Sequence, residues 1–233
     1  MDVSEQTRSA LIFLHRICTE GGPVPQITLQ AHCTLPVAGG DMGLYVFGEG
    51  ESGPELVMAA VHRTEDAESV DPLVRLHSAC ATGDILGSLR CDCGPQLSAA
   101  LDAVLTSSHG ILLYLLGHEG RGIGLANKIR AYALQEQGLD TVQANVVLGL
   151  PVDSRDYTAA AEALRALGVS RLRLATNNPL KIAALEEAGF TVERVPHGGF
   201  VSASNVDYLR TKDEILGHLG SLGPLTDAAH QGR

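Results

Sequence analysis

Three cysteines, Cys80, Cys91 and Cys93, lie within fourteen residues of one another. Thiols this close in sequence can bind one metal ion together if residues 82–89 fold as a short helix or a turn. Zinc is the natural partner of such thiolate ligands. Three protein ligands leave one position of a tetrahedral site open, and water bound there has its pKa lowered towards neutrality. The cluster therefore predicts a catalytic zinc site that supplies hydroxide.

Two other interpretations fit the same spacing. Cys91 and Cys93 could form a redox pair, or His77 or His118 could complete a structural zinc site with four ligands. The chain has only five cysteines, which is an odd number and too few for a disulfide scaffold. Spacing alone leaves the catalytic, structural and redox interpretations open.

A glycine-rich segment at residues 117–125 lies between a predicted buried strand and a predicted helix. Its glycines allow backbone N–H groups to approach an anion, and Arg121 can bind a phosphate through two hydrogen bonds. The glycine spacing differs from that of dinucleotide-binding loops, and the segment lacks a P-loop lysine. A plain tight turn explains these glycines equally well.

Two later turns are rich in polar groups. Asp153 and Arg155 stand two residues apart just before a predicted helix, and residues 176–181 carry several hydrogen-bond donors around Pro179. Helix caps and surface ion pairs explain such residues as readily as a ligand site does.

The hydrophobic pattern places these segments in an α/β fold. A β-rich N-terminal part is followed by alternating strands and helices, an order typical of a layered sheet. We therefore predict an α/β/α arrangement around a mixed β-sheet. Strands are predicted at residues 26–29, 43–47, 56–61, 73–77, 111–116, 142–148, 171–175 and 191–195. Helices are predicted at residues 4–19, 96–105, 123–137, 157–167 and 179–188.

The composition predicts a globular protein that works in the cytoplasm. Hydrophobic residues make up 45% of the chain and charged residues 19%, which is ordinary for a soluble domain. No apolar run is long enough to span a bilayer, and the N-terminal apolar stretch is too short for a signal peptide. The net charge of −10 argues against nucleic-acid binding, although charge is nearly balanced over residues 75–181.

Taken in order, these segments resemble the GTP cyclohydrolase II family. The resemblance runs from about residue 26 to about residue 218. Each segment alone is weakly specific, but their order and spacing together are highly specific. The segments that carry the resemblance are residues 75–78, 82–84, 88–97, 118–125, 127–135, 140–142, 153–157, 176–179, 193–196 and 208–212.

The resemblance implies a definite reaction. GTP loses pyrophosphate, carbon 8 of its imidazole ring leaves as formate, and the product is 2,5-diamino-6-ribosylamino-4(3H)-pyrimidinone 5′-phosphate. The resemblance also implies one zinc ion per chain on Cys80, Cys91 and Cys93, magnesium on the nucleotide phosphates, and a homodimer. The zinc would carry the hydroxide that attacks carbon 8.

The resemblance further implies residue roles. Arg155 matches the group that attacks the α-phosphate, Asp153 matches the proton acceptor beside it, and Tyr132 matches a tyrosine near the zinc-bound water. Glu119 is expected to bind the donor edge of guanine, because its two oxygens suit paired N–H groups. The matches to nucleotide-contacting positions are Arg75, Gln96, Glu119, Gly120, Arg121, Thr141, Thr176 and Lys181.

The resemblance also sets the expected domain boundaries. Residues 1–25 are predicted as an N-terminal helical extension, residues 26–219 as the catalytic domain and residues 220–233 as a flexible tail. The chain lacks room for the domain that makes dihydroxybutanone phosphate in bifunctional relatives, so a monofunctional form is expected.

One position departs from the family pattern. Ala79 stands where the family has a glutamate before the first cysteine. Two alternatives therefore accompany the main hypothesis. The first is a diverged paralogue that stops at the formylated ring-opened product or serves a specialised pathway. The second is a non-catalytic zinc-bearing nucleotide sensor.

Overall fold

The computed structural model describes residues 27–220, apart from residues 68–69, 152, 203, 207–208, 211–216 and 218. The predicted helix at residues 4–19 and the predicted tail after residue 220 lie outside the described residues. Within the described part, no helix is both long and apolar enough to cross a bilayer.

Seven strands form one mixed sheet. They are β1 (Thr28–Val37), β2 (Gly40–Gly48), β3 (Glu55–Arg63), β4 (Leu73–Ser78), β5 (His109–Leu115), β6 (Arg171–Ala175) and β7 (Thr191–Val195). Their order across the sheet is β1-β2-β3-β5-β4-β6-β7. The pairs β1–β2, β2–β3 and β3–β5 are antiparallel, whereas the pairs β5–β4, β4–β6 and β6–β7 are parallel. The sheet is therefore divided into an antiparallel half and a parallel half.

Helices cover both faces of this sheet. They are α1 (Ala81–Asp84), α2 (Cys93–Thr106), α3 (Leu125–Gln135), α4 (Thr141–Val147), α5 (Thr158–Ala166) and α6 (Pro179–Glu187), with a 3₁₀ segment at Leu116–Gly122. Side chains alternate between the faces of a strand. Ala59 accordingly packs in a core with residues of α5 and α6, whereas its neighbour Ala60 packs in a second core with residues of α2. The predicted α/β/α arrangement with a mixed sheet is confirmed.

Most predicted elements are present, but the predicted strand at residues 142–148 is wrong. These residues form helix α4, because a capping box fixes its start. The Asp140 side chain accepts a hydrogen bond from Gln143 N (2.8 Å), and the Gln143 side chain accepts one from Asp140 N (3.0 Å). Helix α3 begins at Leu125 rather than at residue 123, since Gly124 has φ = 82°.

The connectivity of the parallel half creates a crevice. Strand β5 lies on one side of β4, and the chain then crosses to place β6 on the other side. Crevices of this kind open at the carboxyl ends of the strands, where the direction of winding reverses. The segments that follow β4, β5 and β6 begin at Ala79, Leu116 and Thr176. These segments contain most of the polar residues singled out in the sequence.

Candidate active site

The three cysteines of the sequence motif converge in space. Cys80 follows β4, Cys91 ends the turn after α1, and Cys93 begins α2. Their three Sγ atoms lie within 4.8 Å of one another, and the Cys80 and Cys91 sulfurs are 3.8 Å apart. Thiolates that share a tetrahedral zinc ion at about 2.3 Å also stand about 3.8 Å apart. We call these three residues the thiol cluster, and its geometry fits a metal ion.

Gly83 forms the floor of the thiol cluster. A Cβ atom at this position would lie 2.9 Å from Cys91 Sγ and 3.2 Å from Cys80 Sγ. These distances are shorter than normal contacts, so any side chain there would displace the sulfurs. Helix α1 therefore approaches the cluster closely only because residue 83 is glycine.

Asp84 holds the first cysteine in place. Its buried carboxylate accepts hydrogen bonds from the Cys80 backbone N–H (3.0 Å) and the Tyr114 hydroxyl (2.9 Å). The same carboxylate lies 3.1 Å from His77 Nε2. Three elements thus meet at one carboxylate, which fixes the turn that carries Cys80.

The histidines considered as fourth ligands are engaged elsewhere. His77 Nε2 bonds to Asp84, whereas His118 Nδ1 is 3.2 Å from Ser78 Oγ and its Nε2 is 2.8 Å from the Asp156 carbonyl. Burial lowers the pKa of His118 to about 4, so it is neutral. Among the described residues, only the three cysteines form a group with metal-ligand geometry. The arrangement therefore favours a three-ligand site over a four-ligand structural one.

The thiols differ in acidity because they bond to one another. Hydrogen bonds from Cys91 and Cys93 lower the pKa of Cys80 far below its ordinary value. The bond to Cys80 raises the pKa of Cys91 to about 11, and bonds to both neighbours raise the pKa of Cys93 as well. Cys80 is therefore the thiol of the cluster whose ionised form is most favoured.

One face of helix α3 lies over the thiol cluster. The cavity that contains the cluster is also lined by Lys128, Ala131, Tyr132 and Gln135, which follow helical spacing. Lys128 Nζ lies 3.0 Å from Cys80 Sγ and 2.7 Å from Glu119 Oε1. Burial alone would lower the pKa of Lys128, but these two bonds raise it overall, so the amine is a cation. Burial raises the pKa of Tyr132, whose hydroxyl is therefore protonated at neutral pH.

The glycine-rich segment is bent by left-handed residues. Gly120 and Arg121 have φ values of 60° and 63°. The next residue, Gly122, comes so close to the chain that a Cβ atom there would lie 2.5 Å from Ser154 Oγ. Ser154 N donates to the Arg121 carbonyl at 3.0 Å. The segment thus docks on residues 153–155 and brings Arg121 and Arg155 to the same cavity.

Arg155 and Asp153 form a two-pronged ion pair. Arg155 Nε lies 2.9 Å from Asp153 Oδ1, and Arg155 Nη2 lies 2.5 Å from Oδ2. Both side chains are largely buried. Burial would raise the pKa of Asp153, but the bonds from Arg155 lower it overall. The carboxylate is therefore ionised at neutral pH and orients the guanidinium.

A third group of polar residues closes the other end of the cavity. Arg75 donates to the Ala175 carbonyl (2.9 Å) and to Gln96 Oε1 (2.5 Å), and burial lowers its pKa to about 10. Lys181 Nζ donates to the Leu76 carbonyl at 2.7 Å. Arg75 Nε and His77 Nδ1 are buried with no hydrogen-bond partner in the described part of the chain. Such atoms suit a polar ligand, because an unsatisfied buried group is costly.

Most of the predicted site residues meet in this one cavity, which is also lined by His197 from the loop after β7. Two of them do not line it: the Glu119 carboxylate is held by Lys128 and by Ala81 N (2.7 Å), and Asp153 lies behind Arg155. The predicted residues that line the cavity are Cys80, Cys91, Cys93, Arg75, Gln96, Gly120, Arg121, Tyr132, Thr141, Arg155, Thr176 and Lys181.

Sequence reasoning missed three residues that shape the thiol cluster, namely Gly83, Asp84 and Lys128. Gly83 and Asp84 act through close packing and backbone bonds, which no residue spacing reveals. Lys128 could have been found, since it precedes Tyr132 by four residues and so shares its helix face.

Comparisons with known proteins identify the family to which the chain belongs. The sequence profile described as GTP cyclohydrolase II matches residues 28–196. A GTP cyclohydrolase-2 from Neisseria meningitidis serogroup C is 50% identical over 192 residues, which cover 82% of this chain and 95% of the relative. A riboflavin biosynthesis protein RibBA from Salinispora arenicola is 49% identical over 195 residues, which cover 83% of this chain and 46% of the relative.

The chain spans less than half the length of the RibBA relatives that it matches. A solved structure described as RibBX, a two domain 3,4-dihydroxy-2-butanone 4-phosphate synthase from A. baumannii, is 21% identical with a TM-score of 0.38. The match covers 80% of this chain and 44% of the chain in that structure. A likeness at that level carries no argument. The profile match and the Neisseria relative are sufficient to assign the family. The chain belongs to the GTP cyclohydrolase II family.

Proposed function

We propose that the protein hydrolyses GTP, releases pyrophosphate and formate, and yields 2,5-diamino-6-ribosylamino-4(3H)-pyrimidinone 5′-phosphate. One observation carries the proposal: the thiol cluster and the guanidinium of Arg155 open onto the same cavity. A nucleoside triphosphate offers two reaction centres, the imidazole ring and the α-phosphate. A cavity with a metal site and a separate arginine can serve both.

The thiol cluster would hold one zinc ion, which would supply an activated water for attack on carbon 8 of the ring. The residues around it would manage protons and charge. Tyr132 lies on the helix face above the cluster and is protonated at neutral pH, so its hydroxyl can donate to the opening ring. Lys128 places a cation beside Cys80.

Arg155 would act at the phosphate end. A guanidinium nitrogen would attack the α-phosphorus, the bond to pyrophosphate would break, and Asp153 would accept the guanidinium proton. Water would then cleave the phosphorus–nitrogen bond, which restores the guanidinium and leaves the 5′-phosphate on the product. The two-pronged ion pair supports this role, because the carboxylate is ionised and already bonded to the guanidinium. Arg121 and Lys181 add positive charge for the triphosphate, which would bind together with magnesium.

Glu119 remains the proposed contact for the donor edge of guanine. Its two oxygens already accept bonds from Lys128 and Ala81 N, but each carboxylate oxygen can accept a second bond. Glu119→Gln is expected to reduce the preference for GTP over ATP. Unchanged preference between the two nucleotides, measured by competition, would remove this role.

Incubation with GTP, zinc and magnesium tests the proposal. Formate and pyrophosphate are expected in equal amounts, with the pyrimidine product detected by its absorbance. Absence of both products from zinc-loaded protein that binds GTP tightly would contradict the proposal and support a nucleotide sensor. Pyrophosphate without formate would instead identify a paralogue that stops at the formylated product. The family match does not favour either alternative.

The proposal includes a homodimer and a location in the cytoplasm. Sedimentation of the purified full chain measures the first directly, and fractionation of the source cells measures the second.

A further inference from the structure

Lys128 is a buried cation that the proposed reaction leaves without a direct task. Only 8% of the residue is exposed, and it lies on helix α3 between two acceptors. Its Nζ atom is 3.0 Å from Cys80 Sγ and 2.7 Å from Glu119 Oε1. Burying an ammonium ion is costly unless both its charge and its hydrogen bonds are satisfied. A sulfur and a carboxylate together provide that compensation.

The charge of the thiol cluster explains why a cation belongs there. Zinc held by three thiolates carries about one net negative charge. That excess weakens the ion as an electrophile and strengthens repulsion among the sulfurs. A hydrogen bond from a charged donor withdraws electron density from one sulfur, and partners of this kind tune metal affinity and reactivity. Lys128 is placed to do this at Cys80.

The position of Lys128 is fixed from its other side. Glu119 holds the amine with Oε1, and its Oε2 accepts the backbone N–H of Ala81, the residue after Cys80. The aliphatic stem packs under the glycine-rich segment, where a Cβ on Gly120 would lie 3.1 Å from Lys128 Cβ. The amine therefore cannot swing away from Cys80 without breaking an ion pair that also anchors the start of α1.

We propose that Lys128 is a positioning residue of the metal centre, which donates a charged hydrogen bond to the Cys80 thiolate and thereby strengthens and tunes zinc binding. The inference rests on the proposed function only in assuming that the thiol cluster holds zinc. A positioning role of this kind differs from a purely structural one, because removal of the charged donor would change the electronic state of the metal–sulfur bond.

Lys128→Met tests this inference, because methionine keeps the length of the side chain and removes the charge and the donor. Zinc affinity of the full chain, measured by chelator competition without GTP, is expected to fall by about 10- to 100-fold. In cobalt-substituted protein, the sulfur-to-metal charge-transfer band is expected to shift. Lys128→Arg, which keeps a charged donor, is expected to recover part of the affinity.

Lys181→Met is the matched control. This lysine is also buried and lines the same cavity, but its amine donates to the backbone carbonyl of Leu76. Its replacement is expected to leave zinc affinity and the cobalt spectrum unchanged. If Lys128→Met does not fold, Lys128→Gln is measured by the same criteria.

Wild-type zinc affinity and an unshifted cobalt band in the uncharged variant would overturn the inference. Neither readout uses GTP, so the inference and the proposed function can fail independently. If the wild-type protein does not turn over GTP but Lys128→Met still lowers zinc affinity, the role of Lys128 stands and the proposed reaction is wrong.

Discussion

The two walls of the cavity are built by different means. The metal wall consists of the thiol cluster with Gly83 and Lys128, and it depends on close packing around three sulfurs. The arginine wall consists of Arg121 and Arg155, with Asp153 behind Arg155, and it depends on a left-handed turn and an ion pair. The metal wall thus requires close spacing of the sulfur atoms, whereas the arginine wall requires the guanidinium groups to be oriented towards the cavity. The two walls should therefore be separable by mutation.

The largest expected effect comes from the metal wall. Cys91→Ser removes one of three ligands and is expected to reduce formate release to background. Pyrophosphate release should continue, because Arg155 and Asp153 are untouched. Zinc content by mass spectrometry and the two product assays measure this. Cys33→Ser, on an exposed part of β1, is the matched control. Equal loss of both products would show that the walls act as one unit.

The next effect comes from the arginine wall. Arg155→Lys keeps a positive charge but loses the two-pronged contact with Asp153. We expect pyrophosphate release to fall by more than about 1,000-fold, because the attacking group is replaced, with zinc content unchanged. Arg130→Lys is the control, since Arg130 is exposed and its guanidinium bonds to Asn127 on the same helix (2.6 Å). Normal turnover by Arg155→Lys would exclude an attacking guanidinium.

A smaller change tests how closely the metal wall is packed. Gly83→Ala adds one methyl group 2.9 Å from Cys91 Sγ, and overpacking of this kind costs about 1–3 kcal/mol. Zinc affinity from chelator competition should fall by about 5- to 150-fold if the clash is relieved by displacing the sulfurs. Gly117→Ala adds the same methyl group where no atom lies within 4 Å and should bind zinc normally. Equal zinc affinities of the two variants would show that the atoms around Gly83 can move to accommodate the methyl group.

The smallest effect concerns the neighbourhood of the arginine wall. His118 bonds to the carbonyl of Asp156, next to Arg155, and burial lowers its pKa from 6.5 to about 4. Between pH 4 and pH 6.5, His118 is therefore protonated in the unfolded chain but neutral in the folded one. The free energy of unfolding is highest above pH 6.5 and falls as the pH is lowered towards 4. His118→Asn should reduce this decline, which is measured as the difference between the free energies of unfolding in urea at pH 7 and pH 5. His32→Asn, on the exposed edge strand β1, is the control for the loss of one histidine.

The sequence predicted the sheet and the thiol cluster because both follow from local patterns. Apolar runs such as 111–116 identify buried strands, and cysteine spacing identifies a shared ligand. The error at residues 142–148 arose because apolar residues alternate there with Gln143 and Asn145, and so short a pattern suits either a strand or a helix. The capping box of Asp140 and Gln143 decides the outcome. The bond between Lys128 and Cys80 joins residues far apart in sequence, so only the fold reveals it.

The backbone conformation of Arg121 costs stability, and the proposed contact with the triphosphate would explain why an arginine stands there. Arg121 is the only non-glycine residue with positive φ among the described residues. That conformation disfavours an arginine by about 1–2 kcal/mol relative to glycine. Selection for stability alone would therefore replace this arginine with glycine or asparagine. Thermostabilisation of the protein by substitutions chosen only from backbone geometry would be expected to reach Arg121 early, and so to remove the arginine that the proposed function assigns to the triphosphate.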